Sequence, residues 1–305
     1  MKKFSNKVNI LKYQKKIFCV FFFKIILYLI KNNKLKENQL KVCLCVIGKN
    51  ENLYVKEFVE HYKKLGYNKI FIYDNNDING ERFEDIISNE IKIGFVSIIN
   101  YRGLTNPVQG VSYEDCYKKN SLAYNWLSFF DFDEFLELKP HNIKIQKFLN
   151  NKRYKYCENI KINWIYYSNE KSLYYINKPL KKRFIPISVG NKLIKSTVRG
   201  NLSTNYWFKA RNPHSGNQFN SCSSSGKMIN SSSPFNNPPD IRYAYLNHYY
   251  FKSFEEFCYK IKKGRADYYK NDSIIKIKKF YQKNKYDINK LNIMNKVFNL
   301  TFKYY

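Results

Sequence analysis

From Leu40 onward the chain alternates short apolar runs with amphipathic stretches, and that alternation limits what it can fold into. Lys41–Ile47 (KVCLCVI) is near-continuously apolar, as in a parallel strand covered on both faces. It stops at Gly48-Lys49-Asn50-Glu51-Asn52. Leu53, Val55, Phe58, Val59, Tyr62 and Leu65 then recur at helical spacing, and Gly66 is placed to end the helix. Lys69–Tyr73 predicts a second strand, stopped by Asp74-Asn75-Asn76-Asp77. A short helix is expected over Arg82–Asn89, a third strand over Ile91–Ile99 and a further helix over Val111–Tyr124. Strand and helix in alternation give an α/β class with a mostly parallel central sheet flanked by helices. Ligands of such sheets bind beyond the carboxyl ends of the strands.

The stretch Trp126-Leu-Ser-Phe-Phe-Asp131-Phe-Asp133-Glu134-Phe135 supplies the next strand and its chemistry. Read as a strand end, it turns Asp131 and Asp133 to one side, a pair suited to a hard divalent cation that also holds a phosphate. A surface turn with ordinary acidic residues is the other reading. Three polar clusters, Gly48–Glu51, Asp74–Asp77 and Asp131–Glu134, are thus expected to converge on one crevice.

The second half is less regular. Strands are expected at Asn159–Tyr167 and Lys192–Ser196. Residues 212–240, rich in Ser and Pro, read as a lid, a substrate loop or disorder. Ala244–Asn247 leads to His248, and Ser253-Phe-Glu-Glu256 matches a capping box opening a helix that Gly264 stops. From Ser273 the tail is Lys- and Tyr-rich with helical spacing at Ile275, Ile277 and Tyr281. The expected division is an N-terminal segment and linker over 1–39, a catalytic domain over 40–268 and a basic tail over 269–305.

Lys and Arg number 54 against 24 Asp and Glu, a net charge of +30. Such a field favours anionic partners, though a composition biased to Lys, Asn, Ile and Tyr accounts for part of it. No recognisable RNA or DNA motif accompanies the charge, so no nucleic-acid partner is expected. No Gly-rich phosphate loop appears either, which disfavours a phosphotransferase. The seven cysteines are scattered, with no CxxC pair, and suggest neither a zinc site nor a disulfide framework. Cys43 and Cys45 read as buried thiols, and a reducing compartment is the default. Ile17–Ile30 is apolar between basic flanks but shorter than the roughly 20 residues a spanning helix needs. It suits peripheral contact with an anionic membrane face, on the cytoplasmic face or in the cytoplasm. A single-pass anchor is the alternative.

The segments VCLCVIGKNENLYVKEFVEHYKKLGYNKIFIYDNND, YEDCYKKN, WLSFFDFDEFLEL and NHYYFKSFEEF, in that order, resemble glycosyltransferase family 92 and the related family-2-like group of GT-A glycosyltransferases. The resemblance covers roughly residues 41–268. It implies a GT-A fold, a nucleotide-sugar donor (a UDP-sugar foremost) and a divalent metal, manganese or magnesium. The acceptor class it implies is a glycan or glycolipid of lipopolysaccharide, capsule or glycoprotein type. By motif position, Asn50, Glu51 and Asp74 would hold base and ribose. Asp131 and Asp133 would bridge metal and diphosphate, with Asp131 touching ribose or metal and Glu134 a supporting group. His248 is either a late metal ligand or a histidine bonded at a helix start. Glu114 and Asp115 are candidates for the general base an inverting transfer needs, with Glu170 a further one; a surface helix carries such acids freely. Arg102, Lys195 and Arg199 are candidate phosphate contacts. Gln109, Tyr113, Asn120 and Trp164 would shape the pocket, while His61 reads as structural. A catalytically inactive binding or scaffold relative is the competing class.

Overall fold

All seven residues of β1 (Val42–Gly48) are buried, because the strand pairs in parallel on both edges and is covered on both faces. Its neighbours are β2 (Lys69–Asp74) and β4 (Trp126–Phe129), and β3 (Val96–Asn100) extends the parallel set beyond β2. This computed structural model describes residues 39–104, 108–168, 171–202, 220–230, 232–263 and 287–298. The expected segment at 17–30, Glu170, Gly264 and the spacing at 275–281 lie outside the described residues.

One face of β1 and β4 buries Cys43, Cys45, Ile47, Leu127 and Phe129 against Tyr113, Cys116 and Tyr117 of α3 (Val108–Asn120). The opposite face carries Ser128, whose hydroxyl meets Tyr67; Tyr67 in turn packs edge-on against Tyr62 of α1 (Asn52–Leu65). Burying each such apolar side chain contributes roughly 1.5–3 kcal/mol, so the expected buried thiols serve as small core residues. Burial pushes the Cys43 and Cys45 thiols well above their ordinary pKa. Helix α1 ends at Gly66 as expected, at φ 94°. Its buried stripe includes Tyr54, whereas Leu53 faces solvent.

Helix α2 (Glu84–Lys92) takes up Ile91, which the sequence pattern assigned to the third strand; Gly94, at φ 77°, breaks the helix before β3 begins. The remaining strands are β5 (Glu134–Leu138), β6 (Asn159–Ser168), β7 (Ile185–Pro186), β8 (Asn191–Arg199), β9 (Ser221–Cys222) and β10 (Ala244–Lys252). Between them lie the short helices α4 (Ile145–Leu149) and α5 (Leu180–Arg183). The sheet runs β3-β2-β1-β4-β8-β6-β10-β5, with β7 and β9 on β6. Strand β8 is antiparallel to both neighbours and β5 is antiparallel to β10, so a parallel first half joins a mixed second half. The α/β class with a mostly parallel, helix-flanked sheet is what the sequence led one to expect.

Two expectations are corrected. Where described, the Ser-rich stretch is packed: Ser223, Ser224 and Asp240 are buried, and the Asp240 carboxylate accepts from the Ser223 hydroxyl (2.6 Å) and the Ser225 N–H (3.2 Å). The serines satisfy one buried carboxylate in place of forming a lid. Cys157 and Cys222 form a disulfide across 65 residues, tying the turn before β6 to β9.

Helix α6 (Phe254–Lys263) opens on the expected capping box. The Ser253 N–H donates to Glu256 (3.1 Å), and the Glu256 N–H donates back to the Ser253 hydroxyl (3.3 Å). Glu256 is also clamped by Arg183 at 2.8 and 3.0 Å and by the Tyr54 hydroxyl. Cys258 of α6 packs against Ile293, Met294 and Val297 of α7 (Ile288–Phe298). Among the described residues no helix is long and apolar enough to cross a membrane. Because Arg183 and Glu256 are 4% and 3% exposed, Glu256→Ala should cost about 3–5 kcal/mol by leaving a buried cation unpaired. Ser253→Ala should cost about 1 kcal/mol. Urea denaturation checks both, and equal losses would contradict the assignment.

Candidate active site

The carboxyl ends of β1, β2 and β4 carry the acids. At the end of β1, Asn50 takes a positive φ of 54° and donates its N–H to Asn76 Oδ1 (2.7 Å), which joins the first polar cluster to the second. The Glu51 carbonyl starts α1 by accepting from the N–H groups of Tyr54 and Val55. Asp74 is buried: Oδ1 accepts from the N–H and side-chain amide of Asn76, and Oδ2 pairs with Arg102 at 2.6 Å. Arg102 also donates to the carbonyls of Asp77, Gly80 and Glu81. Its guanidinium organises the 77–81 loop, and the expected phosphate contact gives way to that role.

Strand β4 stops at Phe129 and the chain turns. The Asp131 N–H donates to Glu134 Oε2 (3.0 Å), and the Glu134 N–H donates to the Asp131 carbonyl (3.0 Å). The two aspartates therefore sit on a turn, not on one side of a strand, and each has its own partners. Asp131 accepts from Gln109 (3.0 Å) and Tyr113 (3.2 Å) on α3 and from Lys195 on β8 (2.7 Å). Asp133 faces His248 Nε2 at 3.5 Å and Lys260 of α6 at 2.5 Å. Glu134 lies in the field of both aspartates, with Lys195 at 3.7 Å from its Oε1.

Asp133, Glu134 and His248 each offer a ligand atom, all within 4.8 Å of one another and all buried. The register of β10 on β5 creates the set by placing His248 opposite Glu134. On its other edge β10 sets His248 beside Tyr166, and the imidazole packs against both Trp164 (4.3 Å) and Tyr166 (5.2 Å, stacked). His248 is thus inside a strand, not at a helix start. Glu134 Oε1 and His248 Nδ1 are buried with no hydrogen-bond partner. Two carboxyl oxygens and an imidazole, two of the three donor groups with an unmet valence, fit a hard or borderline divalent cation.

Charge balance sets the protonation states. Burial raises Glu134 well above the usual carboxylate range, with Lys195 opposing and both aspartates adding to it. Burial would also raise Asp133, but Lys260, His248 and Lys252 outweigh it and hold that carboxyl well below its ordinary value. Burial lowers His248 against the pull of Asp133, keeping the imidazole neutral and able to ligate. Lys252 is lowered to about 8, mainly by burial.

Other expected residues fall elsewhere. Glu114 pairs with Lys118, one turn away on α3; Asp115 pairs with Lys119 and accepts from Tyr73 (2.8 Å). Neither joins the acids above by any contact among the described residues. Arg199 lies at the opposite, amino end of β4. It stacks on Trp126 at 4.4 Å and donates to the Cys157 and Tyr154 carbonyls, which corrects its expected phosphate role. Asn120 donates to its own helix at Cys116, and His61 is tied to the Leu136 carbonyl, a structural place as expected. Gln109, Tyr113, Trp164 and Lys195 do reach the site.

Sequence reading missed Lys252, Lys260 and Lys263. Lys263 pairs with Glu51, Lys252 lies 3.9 Å from it, and Lys260 covers Asp133. Their signal was the i, i+3 spacing of Lys260 and Lys263 on one helix face, hidden among 54 cations.

Lys195 is 5% exposed but its partner Asp131 is 34% exposed, so Lys195→Met should destabilise the fold by roughly 1–3 kcal/mol at pH 7. Lys195 opposes the rise of the Glu134 pKa, so its removal puts that folded pKa further above the unfolded one and the variant gains more stability than the parent as pH falls. The gap between variant and parent should therefore narrow from pH 7 to pH 5 in chemical denaturation. A gap that widens would contradict the pairing.

Comparison with known proteins bears on the whole domain. The sequence model of glycosyltransferase family 92 matches residues 38–294. A family 92 protein of Oryza sativa subsp. japonica is 26% identical over 110 residues, 36% of this chain and 18% of that protein. One from Arabidopsis thaliana is 28% identical over 106 residues, 33% of this chain and 17% of that protein. The matched part spans less than a fifth of these relatives' length. Among solved structures, S. aureus TarS overlays at a TM-score of 0.35 and 10% identity, covering 72% of this chain and 39% of that one. Its 1–349 portion overlays at 0.37 and 12%, covering 87% and 76%. The architecture described above rests on the chain's own sheet order. With more than three-quarters of its length matched by the family model, the chain belongs to glycosyltransferase family 92.

Proposed function

We propose that this chain transfers a sugar from a nucleotide-sugar donor, a UDP-sugar foremost, to a glycan or glycolipid acceptor. The observation that supports the reading is the buried cluster of Asp133, Glu134 and His248 at the turn that follows β4, with Asn50 and Glu51 just beyond the end of β1, in a family 92 chain. That edge is where α/β sheets receive ligands, and the GT-A arrangement expected from the motifs fits it.

In this reading the donor's diphosphate lies over Asp133, and its base and ribose over the loops that start with Asn50 and follow Asp74. A divalent cation, manganese or magnesium, held by Asp133, Glu134 and His248 would neutralise charge developing on the departing nucleoside diphosphate. The protein's own part is to preorganise that place. Trp164 and Tyr166 fix the imidazole plane, and Lys195 and the turn hydrogen bonds fix Glu134. Asp131, held by Gln109, Tyr113 and Lys195, reaches ribose or metal from the other side of Glu134. Such preorganisation supplies much of the barrier reduction in group transfer without reorganisation cost. Peripheral membrane contact through residues 17–30, on the cytoplasmic side, belongs to the same reading and is supported by sequence alone.

The test is hydrolysis and binding of a nucleotide-sugar panel, with Mn²⁺ or with EDTA, for the parent and Asp133→Ala. One donor should be hydrolysed in a metal-stimulated way, and Asp133→Ala should lose about 10²-fold or more. A folded parent that neither binds nor hydrolyses any donor overturns the proposal.

A further inference from the structure

Helix α6 brings two lysines to the acids of the site and holds them there. Lys260 reaches Asp133 at 2.5 Å, with its ammonium 3.7 Å from the centre of the Tyr250 ring. Lys263, one turn later on the same face, pairs with Glu51 and donates to the Lys49 carbonyl (2.9 Å). Lys252, at the end of β10, lies 3.9 Å from Glu51 with its ammonium 3.4 Å from the centre of the Tyr54 ring. The helix carrying them is fixed at three points: the Ser253–Glu256 box, the Arg183–Glu256 clamp and the packing of α7. A surface helix has no need of such anchoring to make ordinary ion pairs, which contribute little.

Resting on the donor-site reading above, we infer that Lys260 and Lys263, with Lys252 behind them, form the diphosphate anchor of this enzyme. In the structure their ammonium groups neutralise Asp133 and Glu51. On donor binding they exchange those carboxylates for phosphate oxygens. The same contact makes Lys260 a competitor for Asp133: a divalent cation that takes this carboxylate frees the lysine within reach of the diphosphate. Charge supports the exchange. Lys195, Lys252, Lys260 and Lys263 face four carboxylates, those of Glu51, Asp131, Asp133 and Glu134, so the site as it stands has little excess positive charge. A doubly charged cation arriving together with a diphosphate leaves that balance intact. A diphosphate alone draws on the lysines.

The test uses inorganic pyrophosphate and UDP as probes, by calorimetry at fixed ionic strength, in EDTA and in Mn²⁺. The proteins are the full chain and its Lys260→Gln, Lys260→Arg, Lys263→Gln, Lys118→Gln and Asp133→Ala variants, each checked for an unchanged melting curve. Lys260→Gln and Lys263→Gln should weaken pyrophosphate binding about tenfold or more, the loss expected for a charge-assisted contact. Lys260→Arg should retain most of it. Lys118→Gln, a change of equal charge on α3, should shift it less than about twofold. Nucleotide-free Lys260→Gln should bind Mn²⁺ more tightly than the parent, a readout that does not depend on turnover. If Lys260→Gln and Lys263→Gln bind both probes like the parent, while Asp133→Ala loses Mn²⁺-dependent UDP binding, the anchor is refuted and the donor site stands. If the parent binds neither probe in either condition, the donor-site reading falls and the anchor with it.

Discussion

The antiparallel pairing of β10 against β5 governs the site. It sets His248 directly opposite Glu134, two residues that are 114 positions apart in the chain but share one rung of the sheet. Because side chains alternate along a strand, a slip of one residue would turn His248 to the other face and dismantle the donor set. The register is secured on its other edge by parallel pairing with β6, which supplies Trp164 and Tyr166 as walls for the imidazole. The same strand then bulges and delivers Lys252 and helix α6. One threading decision, β10 between β5 and β6, thus places His248, its aromatic support and the lysines.

Electrostatics explains why so crowded a set of charges is stable. Two carboxylates and an imidazole in a buried cluster would repel or protonate without compensation. Lys195 balances Asp131 and Glu134 on one side, and Lys260 balances Asp133 on the other. These buried pairs do not stabilise the fold by much in themselves, since desolvation offsets their attraction. Their value is positional: each lysine holds a carboxylate in place.

Much of the first half was legible in the sequence because its information is local. The apolar run of β1, the stripe of α1 and the Gly66 stop each announce themselves within about fifteen residues. The Ser253–Glu256 box was readable for the same reason. What sequence reading missed is non-local. Antiparallel β8 inserts between β4 and β6, and Cys157 bonds Cys222 across 65 residues that include β6, β7 and β8. The Ser-rich segment looked like a lid, since serine composition does not reveal that Asp240 waits to accept from it. Arg102 and Arg199 looked like phosphate ligands, yet a guanidinium with five donors is equally suited to binding loop carbonyls, and both are used so. The helical spacing of Lys260 and Lys263 is a local mark that is lost in a chain this rich in lysine.

The account stands or falls on what occupies the space between Asp133 and α6. The most direct measurement is a crystal structure of the full chain soaked with Mn²⁺ and UDP, with anomalous scattering used to locate the metal. The account predicts a manganese peak bound by Asp133, Glu134 and His248, with the diphosphate between it and the ammonium groups of Lys260 and Lys263. Nucleotide bound elsewhere, for example in the cleft of about 230 Å³ lined by Glu57, His61, Phe135 and Asn247 on the far side of β5, with Lys260 still on Asp133, would contradict it.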